Sequence, residues 1–161
     1  MFNNVTKYKF SLIICTHIKN LVQCRYCTIS GVKMKKILIV DDEQDIVESL
    51  KFVLELSGYT CFCAFNGEDG LKMVKEIVPD LIILDVMMPK INGFKISRLL
   101  KFDKKYQGIP IIMLTARSQA DDKLIGEETG VNEYITKPFD IDNVVATVNK
   151  YLGGIHAGSN K

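Results

Sequence analysis

Five short apolar runs recur along the chain from residue 35 onward, separated by amphipathic stretches. The runs cover residues 37–40, 59–64, 81–84, 109–114 and 131–135, and each has the length of a strand. The first, third and fourth runs are almost wholly Ile, Leu, Val and Met, as is typical of strands buried on both faces. The second and fifth runs admit polar residues, namely Thr60, Asn132, Glu133 and Tyr134. The pattern predicts five strands, with the second and fifth at the edges of a sheet.

The stretches between the runs repeat their apolar residues with helical spacing. The five predicted buried faces are Ile46, Leu50, Val53 and Leu54; Leu71, Val74 and Val78; Ile96, Leu99 and Leu100; Leu124 and Ile125; and Val144, Val148, Tyr151 and Leu152. Strands that alternate with helices form a parallel sheet with helices on both faces. We therefore predict an α/β fold with strand order 2-1-3-4-5, the flavodoxin-like order, whose ligands bind between strands 1 and 3.

The alternating pattern is confined to residues 34–152, which we predict to be one domain. Residues 1–33 contain five basic and no acidic residues, whereas the other 128 contain 16 basic and 19 acidic residues, a net charge of −3. Met34 stands where such a domain would begin, so we interpret residues 1–33 as an N-terminal extension from a translation start assigned too far upstream. Residues 153–161 are predicted to be a flexible tail. No apolar-periodic region follows Leu152, so we expect no output domain.

Composition narrows the class of protein. A hydrophobic fraction of 47% with 25% charged residues is typical of globular proteins, and the mildly acidic domain argues against direct DNA binding. The apolar stretch at residues 12–15 is far shorter than the ~18 residues of a membrane span, and we expect neither a span nor a secretion signal. Five cysteines, two of them Cys61 and Cys63 in a predicted strand, fit packed thiols in the cytoplasm.

The extension contains Cys15, His17 and the pair Cys24-x-x-Cys27. A single such pair gives little support for a zinc site. The five basic residues give as little support for a nucleic-acid-binding arm. Neither alternative is adopted.

Carboxylates cluster where two predicted neighbouring strands end. Asp41 and Asp42 follow the first strand and Asp85 follows the third, so the predicted order brings all three to one sheet edge. Like charges this close favour a bound cation. Oxygen-only ligands suit Mg²⁺, or Mn²⁺, better than zinc.

Two further residues extend the set at this edge. Thr115 closes the fourth strand and Lys137 follows the fifth, which adds a hydroxyl and an ammonium. An aspartate can attack phosphorus while a metal and a lysine neutralise the oxygens, so Asp85 is the candidate nucleophile. Taken singly, these residues could cap helices or lie in solvated loops, but their joint placement at four strand ends favours phosphoryl transfer.

Four motifs carry a resemblance to a known family. Residues 37–43 read ILIVDDE, residues 84–89 read LDVMMP with Gly93 after them, residues 114–116 read LTA and residues 137–139 read KPF. Residues 35–152 thereby resemble the receiver domain of two-component response regulators. The resemblance implies that a sensor histidine kinase, or a phosphorelay donor, phosphorylates Asp85. It also implies that Asp42, Asp85 and the Met87 carbonyl bind Mg²⁺, with Asp41 acting through water.

The resemblance also implies how phosphorylation is read. Lys137 would contact the phosphoryl oxygens, and Thr115 would hydrogen-bond them. Ala116, the next residue of the same motif, would belong to this phosphoryl-binding set, and Tyr134 would move inward. The Lys137–Pro138 bond would be cis, and the readout surface would combine the fourth helix, the fifth strand and the fifth helix. Because few apolar residues anchor the fourth helix, it can shift at low cost.

Met87 and Arg117 resemble the family's variable pair beside the phosphorylation site. A long apolar side chain and a guanidinium can cover an acyl phosphate and exclude water, so we predict that they lengthen the lifetime of the phosphoryl group. The protein would assist its own phosphorylation and dephosphorylation without being a turnover enzyme. Its downstream partner would be a target protein or a phosphotransferase.

Three other functions have weaker support. An aspartyl phosphatase would need a general acid where Met87 stands. A flavin-binding module would need a phosphate-cradling loop where Asp41, Asp42 and Glu43 stand. A degenerate receiver used only for protein interaction would not need the intact carboxylates, Thr115 and Lys137.

Overall fold

The computed structural model describes residues 34–116 and 130–153. The chain divides into two units, Met1–Lys33 and Met34–Lys161, and all described residues belong to the second. Four sequence predictions lie outside the described residues. They are the N-terminal extension, the fourth helix with Leu124 and Ile125, Arg117, and the tail beyond Gly153.

A five-stranded parallel sheet forms the centre of the domain. Its strands are β1 (Lys36–Val40), β2 (Thr60–Ala64), β3 (Leu81–Asp85), β4 (Ile111–Thr115) and β5 (Glu133–Thr136). The spatial order is β2-β1-β3-β4-β5, with every neighbouring pair parallel. The predicted order is confirmed, and β2 and β5 are the edge strands. β3 and β4 are buried along their whole length, because helices cover both faces of these inner strands.

Four helices are described. They are α1 (Gln44–Leu56), α2 (Gly67–Ile77), α3 (Gly93–Phe102) and α4 (Ile141–Leu152), and α4 is the fifth helix of the sequence prediction. Three of them begin at a residue whose side chain accepts a hydrogen bond from a helical N–H group, namely Asn66, Asn92 and Asp140. Such caps satisfy backbone donors that the first helical turn leaves unpaired.

Alternate strand residues supply two apolar cores, one on each face of the sheet. Ile37 and Ile39 belong to the core that α1 and α4 cover. Leu38 and Val40 belong to the core that α2 and α3 cover. Helices therefore pack against both faces of the sheet. This packing fixes the carboxyl ends of the strands relative to one another.

Two predicted core residues are exposed. Val78 is 42% exposed because α2 ends at Ile77 and Val78 turns into the left-handed region with φ 44°. Leu99 is 50% exposed because α3 buries a different row, which contains Ile96, Ser97 and Leu100. The fifth strand also begins two residues later than predicted, at Glu133.

Among the described residues, no helix has the length and apolar character needed to cross a membrane.

Candidate functional site

Three aspartates meet at the carboxyl edge of the sheet. Asp41 and Asp42 directly follow β1, and Asp85 is the last residue of β3, the strand beside it. One carboxylate oxygen from each lies within 4.8 Å of the others. Asp41 is fully buried, Asp85 is 3% exposed, and Asp42 is exposed. The predicted cluster therefore exists, with one member open to solvent.

Lys137 connects this cluster to the far edge of the sheet. Its Nζ lies 2.8 Å from Asp41 Oδ2, 2.8 Å from Glu43 Oε1 and 2.9 Å from Asp85 Oδ1. An ammonium has three N–H donors, so these carboxylates engage all of its donor capacity. The Lys137 backbone N–H donates to the carbonyl oxygen of Thr115 at 2.7 Å. The following bond to Pro138 is cis, as the sequence resemblance implied.

Burial and charge oppose each other at Asp41. Burial raises the pKa of Asp41 above its usual value, although hydrogen bonds from the Lys137 ammonium and the Glu43 backbone N–H favour the ionised form. Burial alone would lower the pKa of Lys137, but hydrogen bonds to Asp41, Glu43 and Asp85 together raise it above its usual value. Lys137 is therefore a stable positive charge in the site.

The donor set fits a hard divalent cation. Three carboxylates contact the Lys137 ammonium, those of Asp41, Glu43 and Asp85. Asp42 adds a fourth carboxylate to the aspartate cluster, so the charge of one lysine cannot balance the charges of all four. All three clustered ligands are carboxylates, and oxygen ligands of this kind favour Mg²⁺ or Mn²⁺ over zinc. The exposed Asp42 leaves a route from solvent to the cluster.

A glycine fixes the loop that follows Asp85. A Cβ atom on Gly93 would overlap the carbonyl oxygen of Asp85 and would lie 3.0 Å from Met113 Sδ, so only glycine fits. The Gly93 N–H also donates to the carbonyl oxygen of Val86 at 3.1 Å. This close approach holds the backbone of the candidate nucleophile.

The other predicted residues lie around this centre. Thr115 is fully buried at the end of β4, beside the strand that ends in Asp85. Ala116 is exposed next to it, and Tyr134 is half-buried on β5, where it packs against the core under α2 and α3. The side chain of Met87 is exposed, at 65%. The structure thus brings Asp41, Asp42, Asp85 and Lys137 together, with Thr115 at the adjacent strand end.

Sequence reasoning assigned no role to two residues that shape this site. Glu43 contacts Lys137, and Gly93 packs against the Asp85 backbone. Both stand inside the motifs that carried the family resemblance. For Glu43 the available signal was its position directly after the two aspartates.

Comparison with known proteins agrees with this geometry. The family model described as "Response regulator receiver domain" matches residues 37–149. The alkaline phosphatase synthesis transcriptional regulatory protein PhoP of Bacillus subtilis (strain 168) is 46% identical over 118 residues, which are 73% of this chain and 48% of that protein. The chain therefore spans about half the length of this curated relative.

Solved structures give the same result. The chemotaxis protein CheY4 of Vibrio cholerae is 30% identical and superposes with a TM-score of 0.71 over 74% of this chain and 100% of that one. A putative response regulator from Chloroflexus aurantiacus J-10-fl is 35% identical, with a TM-score of 0.70 over 75% of this chain and 99% of that one. The chain belongs to the response regulator receiver domain family.

Proposed function

We propose that this protein accepts a phosphoryl group from a histidine kinase, or from a phosphorelay donor, on the carboxylate of Asp85. One observation carries the proposal: Asp85 Oδ1 lies 2.9 Å from Lys137 Nζ, within a cluster of three aspartates whose oxygens lie within 4.8 Å of one another. A nucleophile, a cation site and a fixed ammonium are the parts that phosphoryl transfer needs.

The proposed reaction exchanges one bond to phosphorus for another. An Asp85 oxygen forms a bond to phosphorus as the bond from phosphorus to the donor's histidine nitrogen breaks, and the imidazole leaves with the electron pair. Lys137 donates hydrogen bonds to the phosphoryl oxygens and offsets their charge. A Mg²⁺ ion held by Asp42, Asp85 and the Met87 carbonyl, with Asp41 acting through water, would supply further charge neutralisation.

The proposed readout uses Thr115 and Tyr134. The Thr115 hydroxyl would hydrogen-bond the phosphoryl group, beside which Ala116, the next residue, would lie. Tyr134 would move further inward in response. The half-burial of Tyr134 against the core under α2 and α3 supports a side chain with both a more exposed and a more buried position. The surface that changes would then be that of the predicted fourth helix, β5 and α4.

Met87 and Arg117 are proposed to set how long the phosphoryl group persists. The exposed Met87 side chain, two residues after Asp85, is long enough to lie over an acyl phosphate and exclude water. Combining Met87→Asn with Arg117→Glu should therefore accelerate dephosphorylation. An unchanged rate of phosphate release from the phosphorylated protein would rule this role out.

We further propose that the protein signals by docking to a target protein or by passing its phosphoryl group to a phosphotransferase. The net charge of −3 over residues 34–161 supports a protein partner rather than DNA. The name of the Bacillus subtilis relative describes transcriptional regulation. A test of the full chain for phosphorylation-dependent binding to duplex DNA separates the two outputs, and binding at physiological salt would overturn this part of the proposal.

Chemical trapping tests the proposed site. The full chain is incubated with acetyl phosphate and Mg²⁺, the acyl phosphate is reduced with borohydride, and the modified residue is located by peptide mass spectrometry. We expect modification at Asp85, absent in Asp85→Asn and retained in the control Asp103→Asn, which removes a carboxylate at the far end of α3. Modification at another residue would overturn the assignment of Asp85, and no modification would support a receiver used only for protein interaction.

A further inference from the structure

Glu43 contacts Lys137 from the solvent side of the site. Its side chain is 61% exposed, whereas those of Asp41 and Asp85, the other two partners of Lys137, are 0% and 4% exposed. Lys137 itself is 17% exposed. The ammonium is therefore shared between two buried carboxylates and one at the rim.

The backbone of Glu43 is held on both sides. Its N–H donates to Asp41 Oδ1 at 2.9 Å, and its carbonyl oxygen accepts from the N–H groups of Ile46 and Val47 at 3.1 and 3.2 Å. The side chain therefore starts from a fixed point beside the buried aspartate. Its contact with Lys137 follows from this geometry rather than from chance at a mobile surface.

Glu43 is also the N-cap residue of α1, and its side chain makes no capping hydrogen bond. Ser, Thr, Asp and Asn are the residues that normally stabilise this position. The three other described helices have such a cap, at Asn66, Asn92 and Asp140. A glutamate at this position makes α1 less stable than a capping residue would. Its carboxylate contacts Lys137 instead of a backbone N–H group of the helix.

A divalent cation in the aspartate cluster must share the carboxylates of Asp41 and Asp85 with Lys137. Two positive charges on the same carboxylates repel each other, so binding is weaker the more firmly Lys137 sits on Asp41 and Asp85. We infer that Glu43 is a positioning residue that draws the Lys137 ammonium toward the rim and thereby strengthens cation binding by the aspartates. This inference rests on the cation site of the proposed function.

Removing the Glu43 carboxylate leaves Lys137 to Asp41 and Asp85 alone. Glu43→Gln should therefore weaken cation binding by about fivefold, the upper range for a partly exposed ion pair. Since the effect acts through Lys137, the same substitution in a Lys137→Met background should weaken binding by less than about twofold. A glutamate that acted only as a nearby negative charge would weaken binding equally in both backgrounds.

The test titrates the full chain with Mn²⁺ and follows the electron paramagnetic resonance signal of the unbound ion. The double-mutant cycle consists of wild type, Glu43→Gln, Lys137→Met and the double variant. Circular dichroism first establishes that each protein is folded. If Lys137→Met is unfolded, Lys137→Gln takes its place. Glu48→Gln, which removes an equal charge from an exposed position on α1, is the control and should bind as wild type does.

The outcomes separate this inference from the proposed function. The inference is supported if wild type binds Mn²⁺ and Glu43→Gln weakens that binding only when Lys137 is present. Equal weakening in both backgrounds, no weakening, or equal weakening by Glu48→Gln overturns it and leaves the cation site in place. Absence of Mn²⁺ binding by wild type overturns the cation site and the inference together.

Discussion

The substitution Gly93→Ala tests how tightly the loop after Asp85 is built. The added Cβ would overlap the Asp85 carbonyl oxygen and lie 3.0 Å from both the Asp85 carbonyl carbon and Met113 Sδ. Two of these three neighbours are backbone atoms at the end of a fully buried strand, so relief requires a shift of the backbone rather than of a flexible side chain. Overpacking of this kind lowers the free energy of unfolding by about 1–3 kcal/mol. Because the contacts are with backbone atoms, we expect Gly93→Ala to lie at the upper end of this range.

A loss of ~3 kcal/mol corresponds to a fall in Tm of at least ~10 °C for a domain of this size. Thermal unfolding followed by circular dichroism measures it. The control is Gly108→Ala, because a Cβ on Gly108 meets no heavy atom within 4 Å; its Tm should stay within a few degrees of wild type, since such surface changes stay within ~0.5 kcal/mol.

The same substitution should impair phosphorylation. A shift of the Asp85 backbone moves its carboxylate relative to Lys137 Nζ, now 2.9 Å away, and a misplacement of ~1 Å can cost about a hundredfold in rate. The rate with acetyl phosphate is measured well below the Tm of the variant. If Gly93→Ala had the same Tm and the same phosphorylation rate as Gly108→Ala, the loop after Asp85 would not be tightly packed.

Three further predictions concern the rest of the domain. Lys101→Met removes hydrogen bonds to the carbonyl oxygens of Gln107 and Ile109 at 3.1 and 2.9 Å; unfolding free energy in urea should fall by ~1–2 kcal/mol, and an unchanged midpoint would contradict this. Tyr59→Phe, which removes a 2.6 Å hydrogen bond to Asn149, should lower the same quantity by ~1 kcal/mol, and equal stability would show the bond to be dispensable. Burial raises the pKa of Cys61 to about 12; iodoacetamide at pH 8 should label it at least ~100-fold more slowly in folded than in unfolded protein, and equal rates by peptide mass spectrometry would refute its burial.

The sheet could be predicted because strand burial leaves a direct trace in the sequence. Polar residues in the second and fifth runs placed those strands at the edges, and the structure confirms that order. The order alone brings Asp41, Asp42 and Asp85 to one edge. The cluster was therefore predictable from where each residue stands relative to its strand.

Details that depend on three-dimensional packing could not be predicted in this way. Helical spacing shows that Ile96, Leu99 and Leu100 lie near one side of α3. It does not show which of these residues face the sheet, and in the structure Leu99 does not. Val78 continues the apolar pattern of α2, yet the helix ends one residue earlier. The requirement for glycine at Gly93 arises from a backbone approach that no local pattern reveals.

The contacts of Lys137 show a second limit. The resemblance implied that this lysine meets phosphoryl oxygens. In the structure its ammonium contacts three carboxylates, one of them that of Glu43. A sequence motif identifies the residues of a site, but it does not show which partner a flexible side chain contacts. That contact depends on distances between elements that are far apart in sequence.

The most direct test of the account is the intact mass of the full chain after incubation with acetyl phosphate. Wild type and Asp85→Asn are compared, each with Mg²⁺ and with the cation removed by EDTA. We expect a gain of one phosphoryl mass in wild type with Mg²⁺, and no gain in the variant or in EDTA. A gain of equal size in Asp85→Asn, or no gain in wild type with Mg²⁺, would contradict the claim that Asp85 is a cation-dependent phosphoryl acceptor.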